Sequence, residues 1–132
     1  MSIFTGPLTL TELDLDWRQW RLEQPLIYVV GAAPEGPAVV VPRGFITDGA
    51  SVPRPLWWLL PAWGRYSRAA VVHDYLCAAI RSGAPQPLAP DRRTADALFY
   101  QAMAACGVNV AMRWLMWAAV RCEALFVRLW GE

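Results

Sequence analysis

The chain reads as an α+β fold, with a small N-terminal antiparallel β-meander packed on three to four C-terminal α-helices. All 132 residues fall in one domain, β-rich over 1–47 and helical over 51–132. Three observations predict this. Short β-branched or alternating runs separated by turn clusters fill the first third. Apolar residues recur at helical spacing from Ser51 onward. The length is that of a single domain large enough for its own core.

Taken in order, Leu8 to Trp17 alternates apolar and polar residues almost strictly, the pattern of a half-buried strand. Trp17 and Trp20 follow around Arg18, placed to cover the sheet. Pro25 to Val30 is β-rich and predicts a second strand. Gly31 to Pro37 is a turn cluster, and Ala38 to Val41 is the returning strand. Pro42 cannot donate to a ladder, so that end is expected at an edge or bulge. Phe45 and Ile46 end a strand, and Asp48-Gly49 is a turn pair.

Ser51 is a good N-cap, and Pro53 suits a first helical turn. Pro53 to Leu60 then predicts a short helix ended by Pro61. The next helix carries His73 and runs to about Arg81, with Val72, Leu76 and Ile80 toward the core. Ser82 to Pro90 is a Pro-rich loop. Asp91 is the natural N-cap of a helix stopped by Gly107. The last helix spans about Val108 to Trp130 and is too interrupted by charge to cross a bilayer. Arg113, Arg121 and Arg128 fall on one narrow stripe of it, which predicts a solvent side. The side with Leu115, Ala119, Cys122 and Phe126 is expected to be buried, making this either the central core helix or part of a contact surface. Trp117, between Arg113 and Arg121, is then expected to meet another subunit, another protein or a bilayer.

A net charge of +1 with no basic run gives no case for a nucleic-acid partner. Hydrophobic residues reach 56%, and eight Trp in so short a chain point to more apolar surface than one small core hides. The expected partners are another protein, a second copy, or a membrane surface met through the last helix. Cys77, Cys106 and Cys122 form no disulfide framework and read as buried free thiols of a reducing compartment. The N-terminus has no signal-peptide pattern, so secretion by a signal peptide is not expected.

The candidate chemistry gathers between Thr47 and Asp96. Asp48, His73, Asp74 and Asp96 are the candidate catalytic residues, and His73, Asp74 and Asp48 the candidate ligands of a divalent metal such as Zn²⁺ or Mn²⁺. Such a set would serve a metal-dependent hydrolase. The competing reading is a structural network in which His73 and the acids hydrogen-bond neighbouring elements. A single histidine is a thin basis for a metal site, and Cys77, four residues beyond His73, has no second pair to complete a tetrahedron. His73 and Asp74 are adjacent, so their side chains diverge by about 100° around the helix. Arg92 and Asp96 are spaced for an i,i+4 ion pair, and Asp96 borders the apolar stripe. It is read as a strut to Arg92 or Arg54, or as a carboxylate aimed at His73. Thr47, Ser51 and Arg54 lie where a helix start could bind an anion, but no Gly-rich phosphate loop accompanies them. No nucleophile elbow surrounds Ser51, which favours capping.

Three motifs in fixed order, Phe45 to Arg54 (F-I-T-D-G-A-S-V-P-R), His73 to Leu76 (H-D-Y-L) and Arg92 to Met103 (R-R-T-A-D-A-L-F-Y-Q-A-M), resemble those of domain-of-unknown-function family 1353. The resemblance runs from about Pro42 to the C-terminus. It implies a phage- or prophage-associated protein of unassigned activity, located in the host cytoplasm or the virion, with a virion protein among the expected partners of Trp117. With the apolar excess, this leads to the expectation of an accessory or virion-assembly protein. A counter-defence factor that binds a host protein or small ligand is the further alternative.

Overall fold

The computed structural model describes residues 3–5, 8–12, 20–30, 37–47 and 67–130. Within them six short strands precede three helices, the predicted α+β arrangement. The strands are β1 (Ile3–Thr5), β2 (Leu10–Glu12), β3 (Trp20–Leu22), β4 (Leu26–Val29), β5 (Ala38–Val41) and β6 (Ile46–Thr47). The helices are α1 (Ser67–Arg81), α2 (Arg92–Ala105) and α3 (Val110–Trp130). The short helix expected over 53–60 lies outside the described residues.

The strands pair antiparallel in two three-stranded sheets, ordered β1-β4-β5 and β2-β3-β6. β4 is central and buries Leu26, Tyr28 and Val29. β5 shows the period of two that a sheet with one covered face imposes: Val39 and Val41 point inward, Ala38 and Val40 outward. Pro42 follows β5 on an edge strand, where its missing N–H breaks no ladder. The chain then turns through Gly44 at φ 90°, a left-handed conformation that favours glycine. The Gly44 N–H bonds the Leu22 carbonyl at 2.7 Å, and the Leu22 N–H bonds the Phe45 carbonyl at 2.9 Å. These bonds tie the turn back onto β3.

α1 lies against β4, β5 and β6 on one side and against α2 on the other. Val71, Val72 and Leu76 of α1 join Leu22, Tyr28, Val39 and Val41 in the core. α2 begins at the predicted cap, Asp91, whose side chain accepts from the Thr94 N–H at 2.8 Å. It ends at Gly107, φ 80°, with Gly107 N–H bonded to Ala104 O and Val108 N–H to Met103 O. That pair of bonds satisfies carbonyls the helix end would otherwise leave open. α3 starts two residues later than expected, because Asn109 caps it and accepts from the Met112 N–H at 2.8 Å.

α3 corrects the sequence reading. It packs chiefly on α2, and the side turned inward carries Met116 and Val120. Trp117 and Arg121 are half-buried, not solvent-facing. Trp114, Leu115, Cys122 and Leu125 are exposed instead. The helix is therefore peripheral and turned by about a third of a turn around its axis from the orientation expected. Cys122 is exposed where a buried thiol was expected, while Cys77 is buried and Cys106 half-buried. Among the described residues no helix is long and apolar enough to cross a membrane.

Candidate functional site: a buried carboxylate joining three helices

Asp96 sits one turn into α2, four residues after Arg92, on the side that packs against α1 and α3. Its side chain is wholly buried. A carboxylate so placed is expensive unless its lone pairs are filled. Here they are. Oδ1 accepts from His73 Nε2 at 2.6 Å and from Arg92 Nε at 2.9 Å. Oδ2 accepts from an Arg121 guanidinium nitrogen at 2.7 Å. The donors come from α1, α2 and α3, so one acid ties together all three helices.

The surrounding groups extend the cluster. Arg92 also donates to the Val120 carbonyl at 3.2 Å and to Glu123 at 3.1 Å, both on α3. The His73 ring lies tilted on Phe99, with centroids 4.7 Å apart. Burial on its own pushes the Asp96 carboxyl up, but the hydrogen bonds from His73 and Arg92 with the charge of Arg92 outweigh it, and the group is held below the usual carboxylate range. Asp96 is therefore ionised and can only accept, which fixes the proton of the shared bond on His73 Nε2.

Asp74 goes elsewhere. It accepts from Thr47 Oγ1 of β6 at 2.7 Å, tying α1 to the second sheet. The adjacent pair thus serves two interfaces, as the angle between neighbouring side chains on a helix requires. Of the candidate residues, His73, Arg92 and Asp96 converge, Asp74 and Thr47 form a separate pair, and Trp117 belongs to neither. Asp48, Ser51 and Arg54 lie outside the described residues. The sequence reading missed Arg121 and Glu123. The available signal was an acid on an apolar stripe, which needs more than one cation, facing a helix rich in arginine.

Cys77 brings its sulfur to 3.6 Å from His73 Nε2. Donor atoms of His73, Cys77 and Asp96 all lie within 4.8 Å of one another, near enough to consider a metal. The donor set as arranged fits a hydrogen-bonded clamp better. Burial pushes the Cys77 thiol up to about 11, so it stays protonated. A divalent cation would also have to break the His73–Asp96 bond and sit beside two guanidinium groups already paired with that acid. A Cys–His–Asp relay fits no better, because it needs the thiol and the acid on opposite ring nitrogens. Here both lie closer to Nε2.

An uncharacterized protein, y4jT, of Sinorhizobium fredii (strain NBRC 101917 / NGR234) is 44% identical over 46 residues, a third of this chain. The match spans only 14% of that relative's length. No solved structure matches the chain. The family model described as "Protein of unknown function (DUF1353)" matches residues 20–120, a stretch that runs from β3 through α1 and α2 into α3 and holds His73, Arg92 and Asp96. That match covers most of the chain, and the chain accordingly belongs to the DUF1353 family.

Proposed function

We propose that this is a non-enzymatic accessory or assembly protein of phages and prophages, whose Asp/His cluster is structural and whose working surface is the apolar outer face of α3. One observation carries the reading: the buried Asp96 carboxylate is filled by His73, Arg92 and Arg121. Three of its roughly four acceptor sites are taken by the protein's own donors and the side chain is wholly buried, which favours a structural role for the acid. What remains for function is surface. Val110, Trp114, Leu115 and Leu125 are 55%, 56%, 36% and 47% exposed, and all lie on α3. Large apolar side chains gathered on one exposed face mark contact sites more often than chance exposure. The phage association comes from the family resemblance and belongs to the same reading.

The test is complementation in a phage or lysogen that carries the gene. Leu115→Glu with Leu125→Glu should lower the yield of infectious particles while the purified variant stays folded. Full particle yield from that variant would refute the surface as the working part. The second reading, a metal-dependent hydrolase using Asp48, His73, Asp74 and Asp96, is favoured by the proximity of the His73, Cys77 and Asp96 donors. Elemental analysis of protein purified without a histidine tag separates the two. One equivalent of zinc or manganese, lost in His73→Ala, would favour the hydrolase.

A further inference from the structure

α3 is held to the rest of the protein differently from the other two helices. Seven of the 15 residues of α1 and six of the 14 of α2 are buried. Of the side chains described on α3, over 110–125, only Met116 and Val120 are buried. The rest of its docked side is charge and ring edge. On α2, Arg92, Asp96 and Tyr100 recur every four positions and so share one face. Arg92 reaches Val120 and Glu123, Asp96 accepts from Arg121, and Tyr100 meets Trp114 edge-on with centroids 5.5 Å apart. The two helices thus run antiparallel, joined through the turn at Gly107.

We infer that α3 is a latched arm, which undocks from α2 as a unit while α1, α2 and the sheets stay folded. The latch is the Arg121–Asp96 bond at 2.7 Å with the Arg92 bonds to Glu123 and the Val120 carbonyl. Three observations support a separate opening. First, an element that buries so few apolar side chains loses little hydrophobic stabilisation when it leaves, so its opening lies below global unfolding in free energy. Second, docking leaves Arg113 Nε buried with no hydrogen-bond partner among the described residues. That cost disappears when the arm meets water. Third, the pivot is defined. Val108 is buried and its N–H bonds Met103 O at 3.1 Å, so the turn stays pinned to α2. Asn109 and Val110, both exposed, follow it directly.

Opening changes the buried cluster in one stated way. It takes the Arg121 donor from Asp96 Oδ2, while His73 and Arg92 keep Oδ1. The arm is then the lid through which solvent reaches an acid that is wholly buried when α3 is docked. The inference holds whichever molecule meets the outer face of α3, so its test is independent of the particle-yield test of that surface.

Hydrogen exchange read by peptide mass, over a series of urea concentrations below the unfolding transition, tests it. Undocked, a helix of this length is marginal in water, so its amides exchange each time the arm opens. In the wild type the α3 amides should exchange roughly tenfold or more faster than those of α1. Their urea dependence should also be weaker, since less surface is exposed. Val39→Ala, a cavity in β5 away from α3, should speed α1 exchange roughly tenfold and leave α3 unchanged, because the sheet stays folded when the arm opens. Arg121→Met should speed α3 exchange several-fold. Equal rates and equal urea dependence for α1 and α3 in the wild type overturn the arm, and that comparison needs no variant to fold. So does a Val39→Ala protein in which α3 speeds up as much as α1. Unchanged α3 exchange in Arg121→Met overturns the latch.

Discussion

Replacing Asp96 by Asn removes one negative charge and almost no volume, so it isolates the electrostatic part of the clamp. Asp96 accepts three hydrogen bonds, two of them from guanidinium groups. Bonds to charged groups are worth roughly 1.5–3 kcal/mol each, so a simple sum would reach roughly 4.5–9 kcal/mol. The sum overshoots, because the Arg92 and Arg121 side chains keep 22% and 24% of their exposure and recover some hydration. Arg92 also keeps Glu123 and the Val120 carbonyl. Asn retains one accepting oxygen, but its amide turns two protons toward donors. A net loss of about 3 kcal/mol follows, at the lower end for breaking a buried ion pair.

At about 2.1 cal/mol/K per residue, unfolding 132 residues carries an entropy of about 0.28 kcal/mol/K, so the loss corresponds to a fall in Tm of roughly 11 °C. Circular dichroism melts and urea titration followed by tryptophan fluorescence measure it. Arg121→Met should cost less, because His73 and Arg92 still hold the acid. The double variant Asp96→Asn with Arg121→Met should fall short of the sum of the single losses by about 1–3 kcal/mol. A Tm for Asp96→Asn within about 2 °C of the wild type would refute the view that this acid holds the helices together.

Three further outcomes follow from the same structure. The folded Asp96 titrates below its ordinary value, so its stabilisation is fully present above about pH 4 and is lost as pH falls through the lower folded value; urea midpoints of wild type and Asp96→Asn should converge in acid, and parallel curves from pH 7 to pH 2 would contradict this. Iodoacetamide at neutral pH should modify the exposed Cys122 and spare Cys77, whose thiol is buried and held at about 11, until urea unfolds the chain; native labelling of Cys77 seen by peptide mass would overturn that assignment. Gly107→Ala puts a Cβ at φ 80° in the turn that ends α2 and should cost about 1 kcal/mol in urea unfolding; no loss would mean that the turn relaxes at no cost.

The parts of the fold read correctly from sequence are those fixed locally. Asp91 caps α2 through a bond to a residue three positions away, and Gly107 ends it because the required φ suits glycine. The alternation of β5 and the edge position of Pro42 are equally local. The pairing of β1 with β4 and of β3 with β6 was not legible, since it joins strands separated by others in the chain. The site divides in the same way. Arg92 and Asp96 are i,i+4 neighbours, so their pairing was visible. That His73 rather than Asp74 would reach Asp96 depends on where α2 crosses α1, which no spacing within α1 encodes.

The orientation of α3 shows what such reasoning lacks. Three arginines on a stripe normally mark the solvent side of a helix. The rule assumes that each charge is satisfied by water. Asp96 reverses it for Arg121, because a carboxylate with no exposure must be met by cations from the elements that cover it. Once Arg121 turns inward, its helical neighbours follow. Arg113 stacks over the Tyr100 ring at 5.2 Å, and Trp117 becomes half-buried. The face with Leu115 and Leu125 is carried outward by the same rotation, since the two faces are rigidly opposed on one helix. The polar cluster and the apolar face are therefore one design problem. An acid placed inside α2 decides which side of α3 remains available to a partner, so Asp96→Asn should disturb not only stability but also any contact made through Leu115 and Leu125.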